Sequence, residues 1–507
     1  MGSTSHRAAI DVTERILGTK ASLSDQSVIE PTWFKFLQQW KNLKLLATTK
    51  RWLKSDLGIL ASNGDIYCRL TTLSIGIEDW DTCTSAFSEF PCVENLCVDF
   101  VTSRQPHNRG VPYLVLEEIH SYFPRLSYFK VRYLRVYGET PQPVVPCHTV
   151  RKFSVLARQN SEWGDYFARK YPNLEELELR GSQAENSSME REAKRLVRSC
   201  YHLQRLDMIN DEVYYGLIDI LLEIGAPLRG LCVYPTDTPW FTGRIYSLHQ
   251  TLKNINLYGK LEIPVVEVLA QLKVCHSLTT LAMDYICPRL EVDLILTEIK
   301  GLEHLTLTID SIGLTNNNKG GTAIQSQLKY LGLFANDVED EVYPYLSSHC
   351  PRLTSLECSY RHPSYRLTTI FYPNPGLKSL AVWCRFHTVF RLTQMNEAER
   401  IQLRDEGYSK LNELSETKGY TQWFGPSFIE VLRLMDPADA EEHLTELTYR
   451  SDGIYRKKYE EVMVEETSGQ ERVEVFDSHF TPSRILLIRC HYLDDIKLNG
   501  VRISIVT

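Results

Sequence analysis

One frame, apolar-x-x-apolar-x-apolar, returns along this chain at a nearly fixed interval, and no other feature limits the fold so strongly. Its starts fall at Leu70, Val93, Leu126, Val150, Leu174, Leu203, Leu228, Leu252, Leu278, Leu302, Leu328, Leu353 and Leu377, and 10 of the 12 intervals measure 23 to 26 residues. Roughly 15 to 20 chance occurrences are expected at this apolar content, so the constraint lies in the spacing. Within the frame, apolar residues alternate as they do on one side of a strand. Between frames lie stretches with apolar residues at i, i+3 or i+4 and i+7, the stripe of an amphipathic helix, at 114–123, 191–200, 216–225, 265–275 and 341–350. A strand and a helix of this size bury neither face alone. Stacked in register, they give a parallel sheet on one surface and a helix layer on the other.

Such stacking replaces the three or four separate domains that 507 residues would make at roughly 150 per domain. The sequence predicts an α/β solenoid, a right-handed horseshoe of about 15 units with its parallel sheet on the concave face and its helices on the convex face. Residues 65–383 form the regular array, expected to run without a break. After Leu377 the frame returns only at Leu444 and Leu493, which leaves an acidic insertion over 384–443 that reads as helical. The C-terminal repeats span 444–507, with a second insertion around 459–477 that alternates like a hairpin. Thr481-Pro482 reads as the N-cap and first-turn proline of a last helix, Arg484–Cys490. Asn499-Gly500, between two alternating segments, predicts a capping hairpin that covers the final sheet edge. In front of the repeats, residues 26–64 read as a helical cap through Trp33, Leu37 and Trp40, and residues 1–25 as a flexible N-terminus.

Charge excludes one class of partner. Lys and Arg number 56 against 64 Asp and Glu, a net charge of −8, which argues against nucleic acid. No stretch approaches the roughly 18 consecutive apolar residues of a membrane span, and the N-terminus has no apolar signal region. Thirteen cysteines, an odd number, point to free thiols in a reducing compartment, so the expected location is cytoplasmic and/or nuclear.

Cys147, Cys200, Cys275, Cys350 and Cys490 each stand three residues before a frame, with His148, His202, His276, His349 and His491 within two residues of them. Cysteine beside histidine invites a zinc or nucleophile reading. With strands about 4.8 Å apart, most of these cysteines lie roughly 14 Å from the next, against zinc–ligand bonds of about 2.0 to 2.3 Å. Packing at the corner where helix turns into strand is therefore the expectation, with no metal, cofactor or catalytic residue. Cys384 and His387 make a lone half-site, and Lys319-Gly-Gly-Thr reads as a surface loop.

Units such as SSHCPRLTSLECS and KYPNLEELELRG resemble leucine-rich repeat proteins of the cysteine-containing subclass, found above all among F-box/LRR substrate receptors of ubiquitin ligases. The resemblance covers roughly residues 65–505 and implies the leucine-rich-repeat solenoid fold. It implies a protein partner on the concave face and, if residues 26–60 are a divergent F-box, contact there with a Skp-type linker and cullin. The Leu-Pro-x-Glu opening of an F-box is missing from that segment. The expected function is non-enzymatic protein recognition, as the substrate-binding subunit of an SCF-type ligase; the alternative is a stand-alone scaffold or inhibitor.

The third, fifth and seventh positions of each frame face away from the helices. In the later units these include Tyr234, Asn256, Tyr258, Asp284, His304, Tyr330, Phe334 and Trp383. Aromatic side chains exposed on a rigid sheet dominate protein interfaces, so these eight are the candidate partner-binding residues.

Overall fold

The computed structural model describes residues 10–11, 20–23, 45–52, 69–77, 87–100, 111–157, 162–180, 187–209, 216–234, 238–259, 264–284, 287–315, 326–360, 368–372, 374–384, 388–394, 420–425, 433–435, 484–490, 495–498 and 501–503. The chain divides into two compact units, Met1–Tyr234 and Pro235–Thr507.

The first unit carries β1 (Ile10–Asp11), β2 (Lys20–Leu23), β3 (Leu45–Trp52), β4 (Thr72–Ile77), β5 (Asn95–Phe100), β6 (Val111–Pro112), β7 (Tyr128–Leu134), β8 (Val136–Tyr137), β9 (Lys152–Ala157), β10 (Glu176–Arg180), β11 (Arg205–Ile209) and β12 (Gly230–Val233). From β2 to β12 the main ladder is parallel throughout, with β6 and β8 forming a separate small pair. Helices α1 (Tyr113–Tyr122), α2 (Gly164–Lys170), α3 (Ser187–Val197) and α4 (Gly216–Glu223) fill the intervals. They pack on the sheet's apolar side: Phe153 of β9 meets Phe167 of α2 with ring centroids 4.5 Å apart.

The second unit carries α5 (Thr238–Leu248), β13 (Asn254–Tyr258), α6 (Val265–Leu272), β14 (Thr280–Asp284), β15 (Arg289–Glu291), α7 (Val292–Glu298), β16 (His304–Gly313), β17 (Tyr330–Val338), α8 (Val342–His349), β18 (Ser355–Tyr360), β19 (Thr368–Tyr372), β20 (Ser379–Cys384), β21 (Thr388–Gln394), β22 (Tyr420–Gly425), β23 (Arg433–Met435), β24 (Arg484–Cys490), β25 (Asp495–Leu498) and β26 (Val501–Ile503). Its main ladder is parallel through β13, β14, β16, β17, β18, β20 and β25. Each unit is thus an α/β leucine-rich-repeat solenoid.

Every frame from Leu70 to Leu377, and Leu493 too, is followed two residues later by a strand start. A recurring main-chain bond explains that constancy. The carbonyl just inside one frame accepts from two consecutive N–H groups of the next: Thr279 and Thr280 donate to Lys253 at 2.9 and 3.0 Å, and Glu303 and His304 to Thr279 at 2.8 and 3.0 Å. Each unit so fixes the register of its neighbour.

The corner before the frame is equally regular. Leu203, Leu278 and Leu353 donate their N–H to the carbonyls of Cys200, Cys275 and Cys350 at 3.0 to 3.1 Å, while Phe90 and Phe123 occupy the same corner ahead of Val93 and Leu126. Burial pushes the thiol of Cys200 up to about 12, that of Cys275 to about 11 and that of Cys350 to about 12. Such thiols stay protonated at neutral pH and make poor nucleophiles or ligands.

Several expectations fail at the ends of the array. Residues 45–52, read as part of a helical cap or divergent F-box, are the repeat strand β3, paired parallel to both β2 and β4. Within the N-terminal segment read as flexible, β1 and β2 pair antiparallel. Arg484–Cys490 is not a helix but β24, lying between β19 and β21 in a second sheet. An unbroken apolar run, Ile485–Ile488, fits a buried strand as well as a helix, and its β-branched ends favour the strand. Cys490 accordingly ends a strand rather than filling a helix corner. The insertion read as helical contributes β21, β22 and β23, joined antiparallel. β19 packs beside α8, so the layer that is helical in earlier repeats continues there as sheet. The frame at Leu444 and the hairpin expected over 459–477 lie outside the described residues. At the chain's end β26 folds back on β25, with Leu498 opposite Val501 across Asn499-Gly500.

Candidate protein-binding face

Parallel pairing without a slip aligns the helix-free side of the second unit's sheet into lateral rows. The first row runs Asn254, Thr280, His304, Tyr330, Ser355 and Ser379; the second Asn256, Ala282, Thr306, Gly332, Glu357 and Ala381; the third Tyr258, Asp284, Thr308, Phe334, Ser359 and Trp383. The outer rows hold the rings, and the middle row is mostly small. Seven of the eight candidate residues fall on these rows. Tyr234 belongs to the first unit and stands outside this ladder.

Contacts order the rings. His304 stacks on Tyr330 with centroids 6.0 Å apart and planes 30° from parallel. The Tyr330 hydroxyl donates to Glu357 Oε2 at 2.8 Å, and burial together with that bond raises the phenol well above its ordinary range. Phe334 leans over Gly332: a Cβ added there would lie 2.8 Å from the ring and 3.1 Å from the Tyr330 hydroxyl. Glycine is what lets the two rings converge on the middle row. Trp383 is 40% exposed, while Tyr258 and Phe334 are half-buried. Asn256 keeps a buried Oδ1 that accepts no hydrogen bond among the described residues. Glu357, Gly332 and Ala381 were not among the sequence candidates. Their frame positions gave their face, but only the register gives their neighbours.

The corresponding side of the first unit is different in kind. Its carboxylates meet cations on the same face: Asp99 with Arg132 at 3.2 Å, Glu176 with Lys152 at 2.6 Å, Glu178 with Arg180 at 2.5 Å and Lys130 at 3.9 Å, and Asp207 with Arg205 at 2.9 Å. Burial would raise the Glu178 carboxyl, yet hydrogen bonds from Arg180 and Ser154 hold it below its ordinary value. Lys152 Nζ also sits 5.3 Å from the centre of the Tyr128 ring.

Among the described residues, no group of three or more His, Cys, Asp or Glu side chains is placed to hold a metal ion, and no helix is long and apolar enough to cross a membrane. No family model and no curated protein matches the chain. Solved structures do align with it. A crystal structure of a TLR13–ssRNA13 complex aligns at 14% identity and a TM-score of 0.33, over 67% of this chain and 60% of that one. An internalin (inlF) from Listeria monocytogenes str. 4b F2365 aligns at 15% identity and a TM-score of 0.26, over 71% of this chain and 86% of that one. The chain thus spans only about three fifths of the TLR13 chain. What this face can do is read from its own geometry: it offers rings, small side chains and polar edges on a rigid ladder.

Proposed function

We propose that the chain is a non-enzymatic protein-recognition module whose second unit presents β13 to β20 to a protein partner. The three aligned rows carry this reading. Rings on the outer rows and small side chains between them give contact area at little cost in side-chain ordering, because the ladder already fixes the backbone. Tyr330 and Trp383 are of the residue types that anchor interfaces, and the small middle row lets a partner approach the sheet.

Capture from cell extract on the immobilised chain tests it. Phe334→Ala with Trp383→Ala should lose the captured proteins, and Lys152→Ala with Arg205→Ala in the first unit should keep them. Equal capture by both pairs rejects the reading.

The resemblance of the repeats supports a finer role as the substrate-binding subunit of an SCF-type ligase, but β3 occupies part of the segment that would have to contact the linker. That observation favours a stand-alone scaffold or inhibitor. Co-purification of the chain with a Skp-type linker and cullin would reverse the preference.

A further inference from the structure

The middle row places Glu357 between Gly332 and Ala381, so space stays open on both sides of its carboxylate. Glu357 is half-buried, and among the described residues its hydrogen-bond donor is the Tyr330 hydroxyl, on Oε2. Among the described residues no cation pairs with it. Lys329 is engaged by Glu303 at 2.9 Å, and Lys497, in the same row beyond Ala381, turns to Asp495 at 3.8 Å. A carboxylate drawn partly out of water is costly unless donors or a cation meet it, and one phenol meets only one of its oxygens.

Phe334 and Trp383 stand in the next row on the two strands flanking that of Glu357, with the small Ser359 between them. Strands about 4.8 Å apart set these two backbones roughly 10 Å apart, which leaves room for a cation within ~6 Å of each ring. Ring faces attract cations, and the carboxylate below supplies the counter-charge. Over the three rows from β13 to β20 the acidic side chains are Asp284 and Glu357, and none is Lys or Arg. The face complements positive charge.

Resting on the reading that this face binds a protein, we infer that Glu357, flanked by Tyr330, Phe334 and Trp383, seats one arginine or lysine side chain from a basic segment of that partner. The cation takes the place that Lys130, Lys152, Arg132 and Arg205 fill internally on the first unit's face.

Random peptide pools with a fixed central arginine, lysine, citrulline or norleucine, passed over the immobilised full chain, test this. The arginine and lysine pools should be retained at least about tenfold better than the neutral ones. Glu357→Gln keeps an acceptor for Tyr330 and should bring that ratio to about one, the charge term being removed alone. Ser359→Lys offers Glu357 a counter-ion from its own strand and should abolish the preference as well, which keeps the test open should the first variant misfold. Equal retention of all pools by the wild-type chain, no retention of any, or a preference that survives both substitutions overturns the inference. Equal retention that Phe334→Ala with Trp383→Ala still removes would sink the cation seat while leaving the protein-binding face intact, so the two readings fail separately.

Discussion

The sheet faces of the two units are built alike, with parallel strands, the same two-residue offset from frame to strand and the same alternation, yet they treat charge in opposite ways. On the first unit, Asp99, Glu176, Glu178 and Asp207 each have a cation from the same or a neighbouring strand. On the second, Glu357 lies among rings and small side chains with a phenol for company. A face whose charges are already met gains little by binding, because a partner must first break what is there. One with a carboxylate that no cation meets among the described residues, beside exposed aromatic surface, gains on both counts. Identical architecture thus carries one face whose carboxylates are paired with cations and one where, among the described residues, Glu357 has none, and the difference lies entirely in outward positions that the fold does not constrain.

The largest expected effect breaks the comparison if it fails. Phe334→Ala with Trp383→Ala should weaken partner binding by about 3 kcal/mol, a loss of over a hundredfold, at unchanged melting temperature. Lys152→Ala with Arg205→Ala should change binding less than about threefold, since exposed ion pairs contribute little. Titration of the captured partner against each variant, beside thermal melts, measures both. A comparable loss from the first-unit pair would mean that the paired face binds too.

Acid should separate the interiors as alanine separates the faces. His120 of α1 is buried, its Nε2 2.7 Å from the Tyr171 hydroxyl and its Nδ1 2.5 Å from the Leu116 carbonyl. Burial, aided by the nearby Lys170 ammonium, pulls this imidazole down to about 3. An unfolded chain binds a proton there near pH 6.5, so between pH 6.5 and 3 the unfolded state holds more protons and native stability falls as pH falls, by about 1.4 kcal/mol per unit. Among the described residues of the second unit no histidine is buried. Hydrogen exchange at pH 7 and pH 5 should show the first unit losing about 2 kcal/mol of protection, and His120→Gln should flatten that slope. If the second unit weakens first, another buried group governs the acid response.

A smaller effect sharpens what makes the open face open. Gly332→Ala places a Cβ 2.8 Å from the Phe334 ring, whose far edge can swing away. Stability should therefore change by less than about 1 kcal/mol, while binding should weaken about tenfold because ring and carboxylate no longer converge. Unchanged affinity in this variant would show that the position of the ring is immaterial.

Most of the repeat architecture is legible in the spacing of the frames alone. Leu70 to Leu377 gave the strand starts, because inward leucines at period 2 and a helix-length interval leave one way to stack. Spacing failed where that logic does not apply. Ile485–Ile488 is apolar at every position, so neither period could be read, and the pairing that decides for a strand comes from Thr368–Tyr372 and Thr388–Gln394, far away in sequence. Leu45–Trp52 lacks the apolar sixth position of the frame, since Thr48 stands there, and so hid a repeat strand. Of the face, alternation identified the outward rings but not Glu357. What distinguishes this carboxylate is the cation that its described neighbours do not supply, a property of lateral register.

The smallest effect concerns the closed face, and its smallness is the point. Lys152 and Glu176 pair at 2.6 Å with side chains 44% and 41% exposed, so water competes for both and the side chains give up rotamer freedom to meet. A double-mutant cycle to alanine should return a coupling of less than about 0.5 kcal/mol, falling further as salt rises, since such pairs are screened within about 8 Å at physiological ionic strength. Lys130 and Glu178, with 15% and 14% of their side chains exposed, should couple more strongly and respond less to salt. The ladder's charges then serve chiefly to satisfy one another, with little stability to spare. Should the exposed pair prove worth several kcal/mol, the first face would be a stabilising network in its own right, and its silence in binding would need a different cause.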